Sequence, residues 1–298
     1  MQIAITGATG MVGTALSAAL TRAGHRIVPV SRRALPGGVR WNPERGEIDA
    51  SALAGVDAAV NLAGENLAAG RWTAAVKARI RSSRIRGTRL LSDALAAGST
   101  PPRVLVSASA IGYYGARHGD ELLDESSPAG DDFLAQLCVE WEAAADPARE
   151  AGVRVVHPRI GLILAREDGA LAKMLPPFRL GLGGPLGTGS QWMSWIALDH
   201  VVALLIRAIT SDTLHGPVNA VTPAPVRNSQ FTATLAAVLH RPAVLPVPAA
   251  LLRLLFGEMA DMTLLASLRV SAEKLLASGF VFQEPELGGA LQALLHRR

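Results

Sequence analysis

Cysteine is almost absent from this chain: there is one thiol, Cys138, in 298 residues. A single cysteine excludes an internal disulfide and any multi-cysteine metal site. It falls in Phe133 to Ala145, a segment whose pattern predicts a helix, and a thiol there is expected to be buried and inert. The seven histidines lack ligand spacing and no HExxH motif occurs, so no metal ion is expected. Aromatic residues are only 4% of the chain. None interleaves with the densest basic run, Arg79 to Arg89, which argues against a nucleic-acid partner. Val76, Ile80, Ser83, Gly87 and Leu90 instead keep one inward helical stripe through that run. No apolar run is long enough to span a bilayer, and no basic-then-apolar leader precedes the first strand, which begins at residue 2. The expectation is a soluble, cytoplasmic protein with no membrane partner. Charge is scarce too, with 29 Lys and Arg against 25 Asp and Glu and a net charge of +4. With 49% hydrophobic residues, the chain suits one large domain or a main domain with a smaller companion.

Glycine, by contrast, is placed with purpose. Gly7-Ala8-Thr9-Gly10-Met11-Val12-Gly13 follows the apolar run Gln2 to Thr6 and opens an Ala/Leu-rich stretch without proline up to Gly24. That order reads as strand, tight turn and helix start. It lets the backbone approach a pyrophosphate whose charge rests on the helix N-terminal amides. Gly7, Thr9, Gly10, Met11 and Val12 are therefore candidate contacts to a dinucleotide. The second strand, Arg26 to Val30, ends without the Asp or Glu that would hold the ribose hydroxyls of NAD; Ser31, Arg32 and Arg33 stand there instead. A hydroxyl and two guanidiniums suit a 2′-phosphate, so the expected cofactor is NADP(H).

Strand-like runs recur at 3–6, 27–30, 58–62, 104–107 and 153–160 between helical patterns. They predict an α/β, NAD(P)-binding Rossmann fold: a doubly wound parallel sheet with helices on both faces and a small, mostly helical C-terminal substrate domain. The expected division is 1–165 with 196–224 returning to it, and 166–195 with 225–298 as the smaller unit. Ligands in such sheets lie at the carboxyl ends of the strands. There the chain offers Leu62, Ala63, Gly64 and Glu65 after Asn61, then Ser107, then Pro158 and Ile160, all candidate cofactor contacts. Ser109 is either a partner for a substrate carbonyl or simply a small residue at a strand end. Glu65 reads as an acceptor for a cofactor hydroxyl, a helix-cap contact or a substitute general acid. Beyond residue 160, Pro176-Pro177 and the glycine-dense 181–189 predict a long irregular loop, followed by Trp192, Met193 and Trp195, which either line a substrate cavity or pack on the core. A further strand is expected at 217–221, and helices at 196–209, 229–240, 249–256, 262–269 and 285–295.

These residues together resemble the extended short-chain dehydrogenase/reductases, the superfamily of nucleotide-sugar epimerases and dehydratases. More specifically, they resemble its NADP-binding epimerase-family branch. The matching segments run nearly end to end. They comprise Gly7–Gly13, Ser31-Arg32, Asn61–Asn66, Gly112-Tyr113-Tyr114-Gly115, Asp132–Ala135 with Trp141-Glu142, Leu175–Phe178 and Gly181–Pro185, then Trp195-Ile196 with Asp199, and Gly279-Phe280 with Pro285. The resemblance implies that Tyr114 helps shape a substrate pocket, with Tyr113 as an added candidate. It also places Arg84 where the superfamily has an asparagine, within reach of the cofactor or an anionic substrate.

The superfamily's proton transfer uses a Tyr-x-x-x-Lys pair on the helix after the fifth strand of the fold. That helix here contains neither residue, and the nearest register puts Leu134 and Cys138 in their places. Two functional readings therefore stand. One is an NADP(H)-dependent oxidoreductase or epimerase-like enzyme on a small polar substrate, with Tyr113, Tyr114, Ser109 or Glu65 as a non-standard catalytic group. The other is a non-catalytic NADP(H)-binding sensor. Neither substrate identity nor oligomeric state is encoded in these motifs.

Overall fold

Ile3 and Ile5 point to one side of their strand and Ala4 to the other, and all three are buried. A strand apolar on both faces belongs in the middle of a parallel sheet. The computed structural model, which describes residues 1–67, 70–117 and 119–296, places it there. The chain runs β1 (Gln2–Thr6), α1 (Met11–Arg22), β2 (Arg26–Ser31), β3 (Val39–Asn42), β4 (Glu47–Ile48), β5 (Ala58–Asn61), α2 (Ala74–Ala96), β6 (Val104–Ser107), β7 (Ser109–Ala110), β8 (Leu122–Leu123), α3 (Phe133–Ala143), α4 (Asp146–Glu150), β9 (Arg154–Ile160) and β10 (Leu162–Leu164). It continues through α5 (Gly169–Arg179), β11 (Trp192–Met193), β12 (Trp195–Ala197), α6 (Leu198–Thr210), β13 (Gly216–Ala220), β14 (Val226–Arg227), α7 (Asn228–Leu239), α8 (Ala249–Phe256), β15 (Arg269–Val270), α9 (Glu273–Ala277) and α10 (Leu287–His296).

The main sheet has the order β13-β9-β6-β5-β1-β2-β3-β4, with β7 beside β9. Its pairings are parallel except at the β3–β4 edge. One face buries Ile3, Ile5, Val60 and Val106 against α1 and α6. The other buries Ala4, Val28, Ala59 and Leu105 against α2 and α4. The expected doubly wound α/β sheet is therefore present. The chain leaves β1 toward β2 on one side and returns through β5 on the other, so the strand order reverses between β1 and β5, where such sheets open a ligand crevice. A separate cluster joins Leu171, Leu175 and Phe178 of α5 to Trp195, Phe231 and Leu235 of α7 and Leu291 of α10. No helix among the described residues is long and apolar enough to cross a membrane.

At the carboxyl ends of the central strands the packing turns polar. The Thr6 hydroxyl donates to Asn61 Oδ1 at 2.6 Å and accepts from the amides of Leu62 and Ala63, each at 3.1 Å. Asn61 Nδ2 donates to Thr88 Oγ1 at 2.7 Å and Ser107 Oγ at 3.2 Å, and the Trp141 indole donates to Thr88 Oγ1 at 2.9 Å. This buried network ties β1, β5, β6, α2 and α3 together directly below the crevice.

Two expectations are corrected, and one edge of the sheet is added. Pro176 and Pro177 lie inside α5 rather than in a loop: the stripe Leu171, Leu175, Phe178 packs on α7 and carries the helix through two positions that lack an amide donor. The helix expected over 262–269 is only a short π-turn at Ala260–Leu264, after which the chain is extended. Long-range bonds hold it so: the Ser267 amide donates to the Arg117 carbonyl, the Leu268 amide to the Trp192 carbonyl, and β15 pairs with β8. The β3–β4 hairpin edge was not anticipated; buried Val39 and Trp41 anchor it to the second face of the sheet.

Replacing Asn61 by leucine removes the acceptor of the buried Thr6 hydroxyl proton and one donor each to the buried Thr88 and Ser107 hydroxyls. Urea denaturation of Asn61→Leu should show a loss of about 2–4 kcal/mol. A loss under about 0.5 kcal/mol would mean that the network does not support the strand ends.

Candidate functional site

The turn after β1 is built for close approach. Gly7 has φ +66°, and a Cβ there would lie 2.9 Å from the Leu62 carbonyl carbon; a Cβ on Gly13 would lie 2.1 Å from the Gly7 carbonyl oxygen. Gly10 caps α1 with no side-chain hydrogen bond, and the first turn holds no acidic residue. The free amides and the positive end of the helix dipole are thus left for an anion. Above this turn opens a cavity of about 730 Å³, a volume ordinary for a cofactor site.

The cavity brings together Gly7, Thr9, Gly10, Ser31, Arg32, Leu62, Ala63, Gly64 and Glu65, all expected from the sequence. Arg32 is exposed at its rim and forms no ion pair among the described residues. Met11 and Val12 sit in the first turn of α1 with side chains outside the lining. Arg33 also lies outside; its amide donates to Ser31 Oγ at 3.1 Å. Arg84 lies beneath the cavity floor, donating to the Glu65 carbonyl at 3.0 Å and stacking 5.1 Å from the Trp141 ring; burial pulls its guanidinium below the ordinary value. Ser107 and Pro158 are buried in the sheet, Ile160 is partly so, and none of them lines the cavity. Glu65 is held in place, its carboxylate 3.0 Å from Arg79 Nε and its amide donating to Ser83 Oγ at 3.0 Å.

Two parts of the wall escaped the sequence reading. One is the β3 edge with Trp41, Pro43 and Glu44; the other is the α2 face with Ala78, Arg79, Ser82, Ser83 and Arg86. The second had a visible signal. Those five positions recur at one- and four-residue steps, so the arginine-rich helix turns one small and cationic face toward the cavity, beside its inward apolar stripe.

The remaining candidates gather at the ends of β7 and β9. The centre of this group is an ion pair absent from the expected set: Arg159 Nε and Nη2 each lie 2.9 Å from an oxygen of Glu142, with Arg159 buried and Glu142 partly so. The Ser109 hydroxyl donates to Glu142 Oε1 at 2.7 Å, so it turns lone pairs, not a proton, to any further partner. The Tyr114 hydroxyl donates to Asn219 Oδ1 at 2.7 Å and accepts from Arg159 at 3.2 Å; burial pushes its pKa up to about 12. Tyr113 is only partly buried, with the Arg159 guanidinium 3.4 Å over its ring, and its hydroxyl makes no hydrogen bond among the described residues. Leu134 and Cys138 are buried on α3 facing this group, and burial raises the Cys138 thiol to about 12. The sequence signal for the ion pair was an arginine inside the otherwise buried run 155–159 of β9.

Trp195 is fully buried, its indole donating to the Ala224 carbonyl at 3.0 Å, which settles one of the two alternatives for it in favour of the core. Trp192 is clamped between the guanidiniums of Arg227 and Arg269, 4.4 and 4.8 Å from its ring. Its indole donates to Asp120, and this bond, with Arg227, holds that carboxyl below the usual range.

Comparison with known proteins places this geometry in context. A family model described as the NAD dependent epimerase/dehydratase family matches residues 3–220, and one described as a domain of unknown function (DUF1731) matches 247–294. The chain is 45% identical over 291 residues to the epimerase family protein Mb2239 of Mycobacterium bovis, covering 97% of this chain and 96% of that one. It is 39% identical over 298 residues to the epimerase family protein SDR39U1 of Homo sapiens, covering 99% and 100%. A crystal structure of the human SDR39U1 protein (isoform 2) with NADPH superposes with a TM-score of 0.91 at 37% identity, covering all of both chains.

The buried phenol gives a direct test. The protein has two tyrosines, so in Tyr113→Phe the phenolate absorbance reports Tyr114 alone, with an expected midpoint of about 12. The folded-state value lies above the unfolded value of about 10, so the unfolded chain loses its proton first. The Tyr114 contribution to stability is therefore full below about pH 10 and falls as the pH rises toward the folded value. A midpoint near the ordinary value would mean that the phenol is solvated rather than bonded to Asn219.

Proposed function

Because the chain belongs to the NAD dependent epimerase/dehydratase family of the short-chain dehydrogenase/reductase superfamily, we propose that it is an NADP(H)-dependent oxidoreductase or epimerase-like enzyme acting on a small polar substrate. One observation carries the reading: a cavity at the reversal of strand order, floored by a glycine turn and an uncapped helix and rimmed by Arg32. The residues present fit a dinucleotide: Gly7 and Gly13 permit the tight turn and the close packing of α1 on the strand ends, and Gly10 puts no side chain over the first-turn amides that a pyrophosphate would approach. The NADPH in the crystal structure of the human relative supports the same cofactor here.

In this reading the first-turn amides of α1, with Gly10, Met11 and Val12, hold the pyrophosphate. Ser31 and Arg32 take the 2′-phosphate, and Glu65, steadied by Arg79, accepts from a cofactor hydroxyl. When bound, NADPH supplies a reducing nicotinamide. The chain must then orient a substrate and move a proton. Tyr113 is the proposed proton carrier, because its hydroxyl makes no hydrogen bond among the described residues while that of Tyr114 is bonded inside the fold. Ser109, its own proton held by Glu142, orients a hydrogen-bond donor on the substrate. The units 1–165 with 196–224 and 166–195 with 225–298 would close on that substrate from two sides. A second reading, a non-catalytic NADP(H) sensor, is favoured by one observation: Leu134 and Cys138, buried on α3, stand where the superfamily's proton-transfer pair belongs.

Arg32→Ala should weaken NADPH binding by about 1–3 kcal/mol and leave NADH nearly unchanged in equilibrium titrations. Equal losses for both cofactors would remove Arg32 from phosphate recognition. Incubation with deuterium-labelled NADPH and pooled metabolites separates the two functional readings: label in a metabolite supports the enzyme, and tight binding with neither label lost nor any metabolite epimerised supports the sensor. Once a substrate is found, Tyr113→Phe should cut turnover while sparing cofactor affinity; unchanged turnover would take Tyr113 out of the mechanism.

A further inference from the structure

Seven of the twelve exposed large aliphatic side chains among the described residues fall in two short segments, 180–182 and 244–255. Leu180 is 74% exposed and Val244 75%, and on α8 the exposed Leu251, Leu254 and Leu255 share one face at three- and four-residue spacing while Leu252 faces the protein. The two segments lie side by side: a Cβ added to Gly181 would lie 3.3 Å from the ring of Pro242, which leads into the second. Solvent-facing apolar groups in this density mark a binding surface rather than ordinary surface chemistry.

The display is held rigidly. The Leu245 amide donates to the Gly183 carbonyl at 3.2 Å, the Val247 amide to the Pro185 carbonyl at 2.9 Å, and the Gly187 amide to the Val247 carbonyl at 2.8 Å. A Cβ on Gly184 would lie 1.7 Å from the Leu245 carbonyl oxygen, so only glycine permits this pairing. Thus part of the glycine-dense stretch 181–189 builds a ledge for the aliphatic side chains. Pro242, Pro246 and Pro248 have no amide to solvate, and the bonded amides of Leu245 and Val247 point inward, so the ledge shows few donors that would resist an apolar phase.

Charge decides the occupant. No Asp or Glu occurs between residues 169 and 187 or between 240 and 257, whereas Lys173, Arg179, Arg241 and Arg253 do. Arg253 is paired with Asp261; Lys173, Arg179 and Arg241 are exposed and form no ion pair among the described residues. A second copy docked on this face by a two-fold axis would bring a duplicate set of unpaired cations, and no carboxylate from these segments, into the interface. From 242 to 255 there is no aromatic, hydroxyl or amide side chain to give a polypeptide directional contacts. Aliphatic groups that insert without direction, with Arg179 and Arg241 side by side at their edge, match the interface of an anionic bilayer. We propose that the ledge at 242–248, the outer face of α8 and Leu180–Leu182 form a peripheral docking surface for an anionic phospholipid membrane. This is association with the surface of a bilayer rather than passage through it, and it does not depend on the cofactor reading.

The test is co-sedimentation of the full chain with phosphatidylcholine vesicles, with and without about one-third phosphatidylglycerol, at low and high salt. Binding is expected to the anionic vesicles only and to weaken with salt. Arg179→Glu with Arg241→Glu should lower it roughly tenfold or more, and Leu254→Ser with Leu255→Ser should lower it comparably without changing the melting temperature or NADPH affinity, because both leucines already face solvent. No binding to anionic vesicles, or equal binding to neutral ones, overturns the proposal. So does a dimer in solution that the leucine substitutions convert to monomer, because the face would then be a self-interface.

Discussion

The close approach of α1 to the end of β1 is the constraint on which the rest of this molecule rests. Gly13 packs against the Gly7 carbonyl with no room for a methyl group, and Gly7 in turn lies against the backbone of Leu62. Helix and two strands are thereby drawn to one point, which would leave their terminal polar groups crowded and dry. The hydroxyl of Thr6 and the amide of Asn61 resolve this by bonding each other and the neighbouring backbone. A fully satisfied buried network of this kind fixes register as well as adding stability, since each member has one partner geometry and a slipped strand would strand them all. The rigidity of the crevice floor follows from chemistry one layer beneath it.

A second buried polar assembly stands at the ends of β7 and β9, and its logic differs. Glu142 and Arg159 are both withdrawn from water, and desolvating two charges is offset only by good geometry and further hydrogen bonds. Both conditions hold: the pair is bidentate, and Ser109 and Tyr114 fill remaining valences. Removing either partner would leave an uncompensated buried charge. The assembly thereby orients Tyr113 by stacking Arg159 on its ring, one residue away from a tyrosine whose hydroxyl is wholly enclosed. Two adjacent phenols have opposite surroundings, which ranks them chemically where their types alone do not.

The legible parts of the fold and site were those carried by local pattern. The strand, glycine turn and helix of residues 2–22 are contiguous, so sequence order is spatial order, and Ser31-Arg32 could be read from the end of one strand. What escaped was long-range. Glu142 and Arg159 meet only because α3 packs across the end of β9, and no spacing along the chain announces such a pair. Trp41 and Pro43 reach the cavity through an edge hairpin whose partner strand is two residues long. Pro176 and Pro177 obeyed the packing of Leu171, Leu175 and Phe178 rather than their own conformational preference, and residues 265–270 yielded a helical periodicity to bonds with residues 117, 123 and 192. In each case tertiary contacts outweighed a local propensity of a kilocalorie-scale effect.

The last strand has a consequence for how the molecule comes into being. β15 pairs with β8 across roughly half the chain, and Leu275, Phe280 and Phe282 complete the same hydrophobic face that Ile3 and Leu16 begin. On a ribosome that adds about 5–20 residues each second, Leu122 and Leu123 would wait unpaired, and the part of that face not covered by α1 and α6 would stay open, until residues 269–282 had appeared. Native topology of this kind makes completion of the core a late event, with the nascent chain exposed in the interval to chaperones and to competing edges.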